Sequence, residues 1–86
     1  MKATVKIRKW HDMAKEFGFI NSNLITIDCD GGFTKDMVPL CGKEIKIEYN
    51  EEDEIWIELF TGQEWLITKD MVEPEYRHLM EVPDDN

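Results

Sequence analysis

Positive charge is scarce in the second half of this 86-residue sequence. From residue 48 onward only Lys69 and Arg77 are basic, against 13 Asp and Glu, a net charge of −11. Residues 1–47 carry eight bases and six acids, a net of +2, and the whole chain stands at −9. Phosphate contacts need cations, so direct binding of DNA or RNA by the C-terminal half is disfavoured. A basic protein surface is the partner that such a charge suits.

Long apolar runs are missing as well. No stretch approaches the roughly 18 apolar residues of a membrane span. The opening MKATVKIRKW lacks the apolar run of about 7–15 residues found in a secretory leader. A cytoplasmic protein without membrane association is the expectation. Only two cysteines are present, Cys29 and Cys41, too few for a secreted disulfide framework. Two reduced, partly buried thiols are expected, with pairing between them left open.

Catalytic patterns are absent too. There is no glycine-rich phosphate loop, no serine elbow and no His-Glu-x-x-His. Asp28-Cys29-Asp30-Gly31 resembles the start of a calcium loop, but Gly32 and Phe33 stand where an acid or Asn and then Gly are needed. Cys29, Cys41, His11 and His78 show none of the short spacings of a zinc site. No metal or cofactor is expected. One of those cysteines with one of those histidines is the only candidate set for nucleophilic chemistry. Asp28 and Asp30 flank Cys29 and oppose its ionisation, so the chain is read as a non-enzyme.

What is present points to one small domain over residues 1–82, with 83–86 as a frayed acidic tail. Thr4-Val5-Lys6-Ile7-Arg8 alternates and is β-branched, which predicts a strand. Trp10, Met13, Ala14 and Phe17 lie on one helical face, and Gly18 supplies a stop. That helix of two turns is too short to stand alone and must dock through Trp10, Met13 and Phe17. Asn21-Ser22-Asn23 reads as a turn and Leu24–Ile27 as a strand.

Ile45, Ile47 and Tyr49 alternate along a second strand, Glu44–Tyr49. Asn50–Asp53 is a turn, and Glu54–Phe60 a strand with Ile55, Ile57 and Leu59 on one face and Trp56 and Phe60 on the other. Thr61-Gly62-Gln63 turns the chain into a third strand, Glu64–Ile67. These three make an antiparallel meander. The tail keeps helical spacing at Tyr76, Leu79 and Met80.

The pentapeptide TKDMV occurs twice, at Thr34–Val38 and Thr68–Val72. Its spacing matches the tetratricopeptide period, but such arrays need about three or more helical repeats, and the intervening residues alternate as strands. Each copy is read as a one-turn helix. Thr34 and Thr68 are the expected N-caps, and Asp36 and Asp70 sit in the first turn, where negative charge is favoured. Met37-Val38 and Met71-Val72 form an apolar plug, and Pro39 and Pro74 stop the turn. A shared chemical role for Asp36 and Asp70 is the weaker alternative.

The stretches Phe33–Met37, Gly42-Lys43, Trp65–Met71 and Ile7–Met13 resemble a class of small uncharacterised phage and prophage proteins. The resemblance implies an SH3-like barrel and no particular reaction. The expected fold is therefore mostly β (α+β): an SH3-like barrel with an antiparallel meander, one short N-terminal helix and two single-turn helices.

Six acids, Glu48, Glu51, Glu52, Asp53, Glu54 and Glu58, fall within eleven residues that contain no base. Such a run can simply be solvated charge that guards an edge strand. It can also imitate a phosphate backbone and fill a cationic groove, with Trp56 or Trp65 as an exposed anchor. The expected function is a non-catalytic, phage-type binding module that inhibits a basic nucleic-acid-binding host protein, such as a defence nuclease. Glu48, Glu51, Glu52, Asp53, Glu54, Trp56 and Glu58 are its candidate contact residues. The alternative is an assembly protein that self-associates through exposed Trp and Met surface. The oligomeric state is left open.

Overall fold

The alternation around Ile45 and Ile47 sets the frame of the molecule. A computed structural model describes residues 1–82; the expected frayed tail lies outside the described residues. In it Glu44–Asn50 forms strand β4, which pairs antiparallel with β1 (Lys2–Lys6) on one side and β5 (Ile55–Glu58) on the other. Strand β6 (Leu66–Ile67) pairs with β5, giving the order β1-β4-β5-β6. The remaining strands, β2 (Thr26–Ile27) and β3 (Phe33–Thr34), make a separate two-stranded sheet. The architecture is small, antiparallel and mixed α+β, as the alternation and the helical spacing together require.

Helix α1 spans Trp10–Phe17. Gly18 ends it at φ 73°, a conformation that favours glycine, and its N–H donates to the Ala14 carbonyl at 2.9 Å. Met13 is fully buried, and Trp10 and Phe17 pack half-buried against the same core. The helix thus docks through the three residues its spacing singles out. Among the described residues, no helix is long and apolar enough to cross a membrane.

Core side chains come from both sheets, from α1 and from both pentapeptide turns. Val5 and Ile7, Met13, Ile27, Phe33, Met37 and Leu40, Ile45 and Ile47, Ile67, and Met71 and Val72 are all at most 2% exposed. Both pentapeptide methionines are therefore inside, as expected of a plug. Their fifth letters differ: Val72 is buried and Val38 is 42% exposed.

Several details depart from expectation, each for a local reason. The TKDMV turns are 3-10 segments, within Lys35–Leu40 and at Lys69–Met71, and neither threonine caps its turn. Instead the Thr68 hydroxyl donates to the Asp30 carbonyl at 2.7 Å. Pro39 lies inside its 3-10 segment rather than after it, and Pro74 begins a further one, Pro74–Met80, where a proline in the first turn forfeits no hydrogen bond. Leu24 and Ile25 are not in a strand. Leu24 has a φ of 58°, outside the β region, and both residues are more than half exposed.

The largest correction concerns β5. Its core face carries Trp56 and Glu58, whereas Ile55 and Ile57 are half-exposed and Leu59 is exposed. Register explains this. Tyr49 stands opposite Trp56 and Ile47 opposite Glu58, and directly paired residues share a face. The Tyr49 and Trp56 rings meet at 5.3 Å.

A candidate protein-binding surface at the β4–β5 hairpin

Asn50 builds the hairpin tip. Its side-chain oxygen accepts from the Glu52 and Asp53 amides at 3.0 and 3.2 Å, and its amide group donates to the Asp53 carboxylate at 3.3 Å. Asn is favoured at such positions because its side chain imitates a backbone turn. Glu54 closes the turn at φ 56°, which Asn or Gly adopts at lower cost than Glu. Glu51, Glu52, Asp53 and Glu54 are all exposed. Their carboxylates are consecutive and crowd one end of the sheet.

The other candidate contact residues are elsewhere. Glu48 is half-buried and sits opposite Lys2 of β1, so a base faces it that the local sequence does not contain. Trp56 is 6% exposed and Glu58 fully buried. Neither is the surface group anticipated, because the register turns both inward.

Glu58 has a structural task. Its carboxylate accepts from the backbone amides of Phe60 (2.7 Å), Thr61 (2.8 Å) and Trp65 (3.3 Å) and from the Thr61 hydroxyl. Burial acts to raise its pKa, but these four donors outweigh it and hold the carboxyl below the ordinary glutamate value. The group thus ties the Leu59–Trp65 connection to the sheet. The sequence signal was a Glu followed by Thr and Gly three and four residues later, at a strand end.

The assembly alternative needs exposed Trp and Met. Trp10 and Trp65 are half-buried, Trp56 is buried, and Met13, Met37, Met71 and Met80 are all at most 3% exposed. Only Met1, at 50%, is open to solvent. Apart from Met1, the apolar groups more than half exposed among the described residues are Leu24, Ile25 and Phe60, and Phe60 is covered on one side by the Lys43 ammonium at 5.2 Å.

Both cysteines are free. Burial, reinforced by Asp70, pushes the Cys29 thiol up to about 11, and burial pushes Cys41 up to about 11. Both are protonated at neutral pH, and the thiolate is the nucleophilic form. Among the described residues no three His, Cys, Asp or Glu side chains gather as metal ligands.

Beside the acidic tip lies a groove of about 300 Å³. It is lined by the exposed residues Asp30 and Glu54 and by the apolar residues Trp56, Leu66, Ile67 and Met80. Lys69 also borders it, with its ammonium paired to Glu81 at 3.0 Å.

No family model matches this chain, and neither a curated protein nor a solved structure shows significant similarity to it.

The second pentapeptide holds the groove's Asp30 in place. The Asp30 amide donates to the Asp70 carboxylate at 3.0 Å while its carbonyl accepts from Thr68. Asp36 of the first copy is exposed, and the Thr34 hydroxyl is buried without a partner. The two aspartates therefore have different surroundings: Asp70 holds a backbone amide and Asp36 stands exposed. Asp70→Asn should lower stability by about 1 kcal/mol, through a weakened charge-assisted hydrogen bond. Asp36→Asn should stay within about 0.5 kcal/mol of the parent. Urea denaturation of both variants measures this, and equal losses would contradict the asymmetry.

Proposed function

We propose that this domain is a non-catalytic binding module whose acidic hairpin tip occupies a cationic groove of a nucleic-acid-binding protein. One observation carries the reading. Four consecutive carboxylates, Glu51 to Glu54, project from a turn that Asn50 organises, and all four are exposed. A closely spaced row of anions on a rigid strand pair resembles a phosphate backbone in its electrostatics. Trp56 and Glu58 belong to the support of that row and not to its contact face.

We read the fold as an SH3-like small barrel, which suits such a role. Ile7 bridges Val72, with the Arg8 amide donating to Met71 and the Glu73 amide to Lys6, both at 2.9 Å. These bonds bring the segment after β6 back against the continuation of β1. With the resemblance to phage proteins, the reading becomes an accessory protein that blocks a basic host surface, such as that of a defence nuclease.

Each exposed ion pair contributes about 0.4 kcal/mol, so four make roughly a tenfold difference in affinity. The test immobilises the parent protein and the variant E51Q/E52Q/D53N/E54Q and passes over each the heparin-binding fraction of host lysate. The parent should retain a protein that soluble heparin releases, and the variant should retain about a tenth as much or less. Equal retention by both, or retention that heparin leaves unchanged, would overturn the proposal.

A further inference from the structure

In an antiparallel sheet with one side on the core, the other side is ordinarily polar. Strands β1 and β4 obey this and β5 does not. Away from the core, β1 carries Lys2, Thr4 and Lys6, and β4 carries Glu44, Lys46 and Glu48. Beside them β5 carries Ile55 and Ile57, continued by Leu59 past its end, and β6 adds Leu66 opposite Ile57. Leu59 is 38% exposed, and Ile55, Ile57 and Leu66 are partly exposed. Register fixes what borders this aliphatic stripe. Glu48 stands opposite Ile57, and the Leu59 amide donates to the Lys46 carbonyl at 3.0 Å, which sets Lys46 beside Leu59. The outward charges of β1 and β4 are three bases and two acids, a net of +1, whereas the rest of the chain stands at −10.

We infer that this face docks against the same face of a second copy of the chain, with β5 lying on β5 in the opposite direction. Sheets pack face to face through such side chains with their strands nearly aligned. A two-fold dimer requires a patch that is complementary to itself, and the charges beside the stripe meet that condition. A two-fold axis that crosses the strands between the Ile57 and Leu59 rows sets Ile57 of each copy over Leu59 of the other. It also sets Lys46 of each copy over Glu48 of the other. The same axis sends the two acidic tips, Glu51 to Glu54, to opposite ends of the pair, whereas strands in the same direction would crowd them together. The small positive charge of the face spares the contact the repulsion that the rest of so acidic a chain exerts. The dimer leaves the tips open and does not depend on their being a binding surface.

The stripe is short, so the pair belongs to the weak, transient class, and sedimentation equilibrium of the 86-residue protein should pass from mainly monomer at about 10 µM to mainly dimer at about 1 mM. Over the same series the methyl resonances of Ile55, Ile57, Leu59 and Leu66 should move while those of Leu24 and Ile25 stay in place. K46E should dimerise about tenfold more weakly, because two exposed pairs turn from attraction to repulsion. E48K should do the same. An equimolar mixture of K46E and E48K should regain the parent's affinity, since each reversed charge then meets its opposite. Should E48K, which brings a second base beside Lys2, fail to fold, the methyl shifts of the parent and the loss in K46E decide the question. Monomer throughout the series would overturn the proposal and leave the stripe to a different protein. Association that moves other methyls instead, or a mixture no tighter than K46E alone, would also overturn it.

Discussion

Replacing Met71 by alanine is expected to lower the free energy of unfolding by about 3 kcal/mol, the usual scale for emptying a fully packed methionine site. Met71 is completely buried, and its methyl lies where Gly31 leaves room: a Cβ on Gly31 would stand 3.5 Å from it, 3.0 Å from Leu66 and 3.1 Å from Thr68. Gly31 holds φ 83°, a conformation that favours glycine, so the chain there offers no side chain to refill the cavity. Met37→Ala, at a site 2% exposed, should cost a similar amount. Val38→Ala, at an exposed position, should cost under about 0.5 kcal/mol. For a domain this small, stability lies near the low end of the usual range of about 5–15 kcal/mol, so the double methionine variant should be largely unfolded. Thermal and urea unfolding of the four proteins measure this. Small losses at both methionines would show that the repeated pentapeptide is not an anchor of the core.

Glu58→Gln should be nearly as damaging. Three backbone amides and a hydroxyl converge on the carboxylate, and an amide side chain offers them one oxygen and two unwanted hydrogens. A loss of about 3 kcal/mol is expected, or a fall of about 15 °C in Tm. The pH dependence has a definite sign. The folded pKa of Glu58 lies below that of an unfolded glutamate, about 4.3. Its stabilisation is therefore fully present above about pH 4.3 and declines as the pH falls through the lower folded value. The gap between parent and variant should be constant from neutral pH down to about 5 and should narrow in stronger acid. A gap that instead widens in acid would contradict the assigned network.

Helix α1 and the β4–β5 hairpin were legible in the sequence because their signals are local. Apolar spacing at Trp10, Met13 and Phe17, a stop at Gly18, strict alternation at Ile45 and Ile47, and Asn50 at the turn each act within a few residues. The burial of Met37 and Met71 followed from the same kind of reasoning. Glu58 was misplaced because a charged residue in an alternating strand reads as outward-facing. Only the turn of chain after it, which brings Thr61 and Trp65 back to the carboxylate, makes its burial tolerable. Trp56 went with it, since the two share a face. The groove was invisible for a different reason. Asp30 reaches the segment after β6 through bonds to Thr68 and Asp70, 38 and 40 residues away, and no local pattern announces such a contact. Leu24 and Ile25 read as strand by composition, but the positive φ at Leu24 breaks the run.

On the proposed reading the acidic tip is the working surface and the twin pentapeptides are its scaffold. Competition on the protein retained from the heparin-binding fraction tests this most directly. That protein is mixed with labelled duplex DNA and titrated with the parent or with E51Q/E52Q/D53N/E54Q, after both are shown to unfold at the same temperature. The parent should displace the DNA stoichiometrically and the variant should need about tenfold more. Simultaneous binding of DNA and the parent protein, or displacement by the two proteins at equal concentrations, would contradict it.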